Sequence, residues 1–116
     1  MYWERIALIV PAPLRQPVRV ERIEATLLTR QRLLEGNVEA ITCNGWHVYL
    51  NDEAGSIPLP LNSRAEVLLR EAGPEIEQPV RGTAVLLGHD AHGEEKDAPA
   101  HLLQLAEQLF DTALAP

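Results

Sequence analysis

Apolar residues along this chain alternate between two spacings, and the points where the spacing changes mark out its elements. Ile6, Leu8, Ile9 and Val10 form a compact aliphatic run closed by Pro11 and Pro13, which predicts a buried strand over residues 5–10. After the turn Arg15-Gln16-Pro17, Val18, Val20 and Ile23 predict a second strand. From Thr26 to Glu35 the spacing becomes helical, pairing Leu27 and Leu28 with Leu33 and Leu34. Gly36 follows at once and is expected to take the left-handed conformation that ends the helix. Residues 37–42 read as a strand with Val38 and Ala40 on one face. Asn44-Gly45 predicts a two-residue type I′ turn, because that pair accepts positive φ at both central positions. Trp46, Val48 and Leu50 alternate with His47 and Tyr49 in the return strand.

The polar segment Asn51 to Gly55 is a turn, and Pro58 and Pro60 keep Ile57 to Leu61 extended. Asn62 or Ser63 can cap a second helix, with Ser63 and Glu66 at capping-box spacing. Its apolar stripe is Ala65, Leu68, Leu69 and Ala72, and Gly73-Pro74 stops it. Val80 to Gly88 predicts another strand, followed by the charged loop His89 to Asp97. Asp97 is the expected N-cap of a last helix, about residues 98–113, carrying Leu102, Leu105, Ala106, Leu109 and Ala113 with Phe110 beside them.

The pattern predicts an α+β fold, one domain over residues 1–116. About five strands form a mainly antiparallel sheet, with about three helices packed on one face. Ile6, Leu8, Val38, Leu68, Leu69, Val85 and Leu105 are the expected core. With 116 residues the chain can bury a core without disulfides or metal, and with only five aromatic residues that core must be largely aliphatic.

The single cysteine, Cys43, rules out an intramolecular disulfide and favours a cytoplasmic setting. No run approaches the ~20 apolar residues that span a bilayer. Glu4 interrupts the short apolar N-terminus and no small-residue cleavage site follows, so it reads as a strand and not a signal peptide. Of the net charge of −7, almost all falls after Pro58, where ten acidic residues face four basic ones. A phosphate backbone is repelled by such a half, so direct nucleic-acid binding is not expected.

Several motifs in fixed order carry a resemblance. A helix ends at Gly36 and leads into Val38-Glu39-Ala40-Ile41; a hairpin follows, ending in Asn51-Asp52-Glu53-Ala54-Gly55. Next come the helix start Leu59-Pro60-Leu61-Asn62-Ser63-Arg64-Ala65 and the strand Gly82 to Gly88. Over residues 5–97 the chain resembles a small domain-of-unknown-function family found in phages, plasmids and bacterial genomes, with the C-terminal helix outside the match. The resemblance implies a cytosolic protein of phage or mobile-element type and supplies no catalytic residues. Cys43 departs from the family's usual Asp-Gly hairpin turn.

The candidate chemistry is sparse. His89 and His92, with Asp90, Glu94, Glu95 and Asp97, have metal-ligand types, but Gly88 and Gly93 place them in a loop without a fixed third ligand. No metal and no cofactor are expected. Cys43 and His47 flank the hairpin turn as a thiol–imidazole pair without an orienting third group. Glu39, Asp52 and Glu53 are carboxylates with no defined acid–base geometry. Trp3, Trp46 and Tyr49 lack the interleaved basic residues of a base-stacking platform.

The ligand-site expectation falls on Asn51, Asp52, Glu53, Asn62 and Arg64, where a hairpin end meets the amides of a helix start. Arg64 opposes the helix dipole there, so it should serve an anion or else pair with Asp52 or Glu53. No residue is assigned as catalytic. The leading expectation is a non-catalytic binding or interaction protein that contacts another protein or a small anionic ligand, with a homodimer left open and no membrane contact. An acidic DNA mimic or inhibitor of a nucleic-acid enzyme comes second, and a small enzyme third.

Overall fold

The computed structural model describes residues 4–53 and 56–114. Among them it places β1 (Glu4–Val10), β2 (Arg19–Glu24), α1 (Leu27–Leu34), β3 (Val38–Cys43), β4 (Trp46–Asn51), α2 (Ser63–Ala72), β5 (Ala84–His89), β6 (Glu95–Lys96) and α3 (Ala100–Phe110). The strands form one sheet in the order β2-β1-β5-β4-β3, with the short β6 paired to the end of β5. Every pairing is antiparallel. This is the α+β architecture that the spacing predicts, and a radius of gyration of 13.1 Å is that of a single domain of this length. No helix among the described residues is long and apolar enough to cross a membrane.

The helices do not all share one face. Leu8, Val10, Val48, Leu50, Ala84 and Leu86 point toward α2 and α3, where Ala65, Leu68, Leu69, Leu102 and Ala106 cover them. Ala7, Ile9, Tyr49, Val85 and Leu87 point the other way, toward Leu34 of α1. The unbroken aliphatic runs of β1 and β5 are the cause: a strand apolar on both faces needs cover on both. Complete burial of Leu68 and Leu69 contributes about 2 kcal/mol each. Of the expected core, Leu8, Leu68, Leu69 and Val85 are fully buried, whereas Ile6, Val38 and Leu105 are half-buried.

Local differences have local causes. Thr26 caps α1 by accepting from the Thr29 amide, but Leu27 and Leu28 remain exposed. The left-handed residue closing α1 is Glu35, at φ 60°, and not Gly36. Gly36 is required for space instead, since a Cβ there would lie 2.7 Å from Asn51 Nδ2. In the hairpin turn Gly45 has φ 87° while Asn44 keeps a negative φ, so the turn has the sign pattern of type II and not type I′. The Gly45 carbonyl accepts from the His89 amide, which ties the turn to β5.

Asn62, not Ser63, is the N-cap of α2, so no Ser63–Glu66 box forms. Residues 80–83 precede β5 as a loop, with an isolated bridge between Leu61 and Arg81. Asp97 accepts from the Ile6 amide at 2.7 Å and leaves the start of α3 without a side-chain cap. Helix α3 stops at Phe110, so Ala113 is exposed and Leu114 turns back into the core.

Candidate functional site

The polar residues at the hairpin end and at the start of α2 serve different parts of the fold. Asn51 is 2% exposed; its Nδ2 donates to the Leu34 carbonyl at 2.9 Å and its Oδ1 accepts from the Glu53 amide at 2.7 Å. It clasps the end of α1 to the end of β4. Asn62 is fully buried: Oδ1 accepts from Ala65, and Nδ2 donates to the carbonyls of Val10 and Gly82, both at 2.8 Å. Arg64 reaches neither Asp52 nor Glu53. Its Nη2 contacts the carbonyls of Pro11, Pro13 and Gln16 and gathers the β1–β2 loop, while burial pulls its pKa down. The internal bonding of Asn51, Asn62 and Arg64 leaves Asp52 and Glu53 as the exposed polar groups of the five, with Glu53 Oε1 accepting from Asn37 Nδ2 at 3.4 Å.

Asp52 opens onto a groove of about 660 Å³ on the α2 side of the sheet. Ile41 of β3 and Leu50 of β4 face it, and Ile76, Pro79 and Val80 of the segment after α2 line it as well. Its carboxylates are Glu39, Asp52, Glu75 and Glu77. Arg81 also lines it, with its Nη1 donating to the Leu59 carbonyl. The groove therefore joins apolar surface to concentrated negative charge. Glu39 and Asp52 stand out in the sequence as acidic residues, but the 75–80 wall does not. That wall has neither helical nor strand spacing, and its only signal is Ile76 set between two glutamates and bracketed by Pro74 and Pro79.

A second polar cluster lies on the α1 face. Tyr49 donates to Glu95 Oε2 at 2.6 Å, Arg30 Nη1 lies 3.0 Å from Glu95 Oε1, and the Arg30 guanidinium sits 4.8 Å from the centre of the Tyr49 ring. Burial foremost, then the bond to Glu95 and its charge, push the Tyr49 phenol well above its ordinary range, with Arg30 opposing. A carboxylate paired with the Arg30 guanidinium and bonded by the Tyr49 phenol makes a pin that holds β6 and α1 to β4. Sequence offers no signal for it, since Arg30 and Tyr49 reach Glu95 only through tertiary folding.

His89 stacks on His47, with ring centres 4.3 Å apart. Its two nitrogens lie 3.0 and 3.1 Å from the carbonyls of Asp90 and Cys43. No neutral tautomer donates from both nitrogens, so this geometry favours imidazolium, and the hydrogen bonds raise its pKa. Burial lowers that of His47, and the charge of His89 lowers it further. His92 is exposed, and the described residues contain no group of three or more metal-ligating side chains.

Cys43 and His47 do not meet as a pair. Cys43 packs toward the α2 and α3 core, whereas His47 pairs across the hairpin with Thr42 and contacts its hydroxyl at 3.1 Å. Burial raises the Cys43 thiol pKa, which opposes thiolate formation. Trp46 and Tyr49 lie on opposite faces of the sheet, and Trp3 lies outside the described residues.

A family model described as a domain of unknown function, DUF3846, matches residues 5–111 and so includes α3. No curated protein matches the chain. Among solved structures, the crystal structure of the small RNA methyltransferase HEN1 is similar at a TM-score of 0.65 and 14% identity. The match covers 91% of this chain and 16% of that one, so this chain spans about a sixth of the methyltransferase's length. At that identity the likeness is one of fold.

Proposed function

The chain belongs to the DUF3846 family, a domain of unknown function, and within it we propose a non-catalytic contact module that receives a basic polypeptide segment of a partner protein. One observation carries this reading: the groove holding Glu39, Asp52, Glu75 and Glu77 around Ile41, Leu50 and Ile76. Apolar surface supplies burial, and the carboxylates select positive charge and speed encounter. The setting, as the resemblance implies, is cytosolic and of phage or mobile-element type. The DNA-mimic reading is weaker, because these acids ring a concavity instead of forming rows at phosphate spacing. Methyltransferase activity is not carried over, since the likeness to HEN1 covers a minor part of that enzyme.

Titration calorimetry with a lysine- and valine-containing heptapeptide, against a glutamate-for-lysine control, tests the proposal. The lysine peptide should bind, weaken with added salt, and lose about tenfold in affinity to the double variant Glu75→Gln, Glu77→Gln. Equal binding of the acidic control, or no effect of the double variant, would overturn it.

A further inference from the structure

We infer that the occupant of this groove binds as an added β-strand along the free edge of β3, a mode of capture that rests on the contact-module reading above. Strand β3 ends the sheet order, and its outer side meets no other strand among the described residues. The Asp52 amide donates to the Asn37 carbonyl. In an antiparallel ladder the bonded pairs alternate, so that contact makes Glu39–Leu50, Ile41–Val48 and Cys43–Trp46 the bonded pairs. The amides and carbonyls of Val38, Ala40 and Thr42 then point outward, at a spacing of about 7 Å. They form a complete template for another strand.

The two edges of the sheet differ in their protection. At the other edge, β2 reads Arg-Val-Glu-Arg-Ile-Glu, with charge at four of six positions, the usual defence against strand addition. β3 reads Val-Glu-Ala-Ile-Thr-Cys, with Glu39 its one charge and neither lysine nor proline. Glu39 and Ile41 both line the groove, so the single charge stands on the face where the carboxylates gather. Ala40, at the middle of the open edge, has the smallest side chain of the strand.

These positions specify the occupant. On the groove face its residues lie beside Glu39 and Ile41, which favours lysine or arginine next to an aliphatic residue two positions away. On the other face they lie beside Ala40 and Thr42. Ala40 pairs with Tyr49, and the Arg30 cation over that ring is already matched by Glu95, so uncharged small residues are favoured there. The partner segment is therefore extended, basic on one face and neutral on the other. A second copy of this chain fits poorly, because it adds another −7 to an acidic rim.

The test uses the full chain and the heptapeptide Lys-Thr-Val-Thr-Lys-Thr-Val, together with two forms N-methylated at one or the other alternate set of amides. Strand addition predicts that one methylated form loses at least tenfold in affinity while the other binds like the parent peptide. Loss in both or in neither overturns it. Should the parent bind with neither form impaired, strand addition fails while the groove reading stands; should the parent not bind, both fail. Ala40→Pro removes an outward amide and keeps the inward ladder bonds, so it should melt near the parent protein and bind at least tenfold more weakly. If that variant does not fold, the methylated peptides still decide. A concentration-dependent dimer in sedimentation that the peptide dissociates would assign the edge to a second copy and overturn the basic-segment assignment.

Discussion

Asn62 receives the Ala65 amide on its side-chain oxygen, gives both side-chain protons to the Val10 and Gly82 carbonyls, and sends its own amide to Val80. Such a residue acts on stability. Asn62→Ala removes the α2 cap and leaves two buried carbonyls without that donor, so urea denaturation should show a loss of about 3 kcal/mol. Asn62→Asp keeps the acceptor, discards the donor, and should lose at least as much. The reading of Asn62 as a structural anchor fails if either variant stays within about 0.5 kcal/mol of the parent. Gly36 offers a second check at this scale. A methyl group there must displace the Asn51 amide, so Gly36→Ala should destabilise by about 1–3 kcal/mol, measured by thermal melting.

At the scale of elements, the β3–β4 hairpin depends on the positive φ of Gly45. Gly45→Val forces a β-branched residue into that region and should destabilise by about 1–3 kcal/mol in a denaturation series. Asn44 needs no such freedom, so Asn44→Ala should change stability by less than Gly45→Val.

The two histidines that join the hairpin to β5 give opposite pH signatures. His89, raised in the fold, contributes its stabilisation fully below its unfolded value of about 6.5 and loses it as pH rises through the higher folded value. His47, lowered in the fold, costs stability as pH falls from about 6.5 through its folded value. An NMR titration of the ring protons should therefore place His89 above and His47 below the ordinary value. His89→Asn should move His47 partly back upward, burial keeping the remainder of its shift; identical titration of the two rings would refute the opposite shifts.

At the scale of the whole molecule, α3 closes the core even though its sequence looks separable. Leu102 and Ala106 are fully buried among residues of β1, β5 and α2, and Leu114 returns to the same core. A chain truncated after Ala98 should lose its cooperative thermal transition, because the α2 side of the sheet would be open to water. Leu102→Ala should cost about 2–5 kcal/mol. A truncated chain that melts cooperatively near the parent temperature would show α3 to be an appendage.

The identity of most elements was legible because local spacing is a local property: the helical stripe of α2, the hairpin flanked by alternating residues and the aliphatic run of β1 each lie within a few turns of chain. The sequence by itself determined the α+β class, the leading strands and helices, and the excess of acid after Pro58. It did not determine which polar residues would be consumed internally. Asn51, Asn62 and Arg64 look like surface groups until Leu34, Val10 and Pro11 are brought beside them across the fold. Likewise the groove joins β3 and β4 to residues 75–81, and the Glu95 pin joins α1, β4 and β6. Only the tertiary structure decides such meetings, because hydrogen bonds and cavities depend on where distant segments converge, whereas helix and strand periodicity depends on the order of neighbours along the chain.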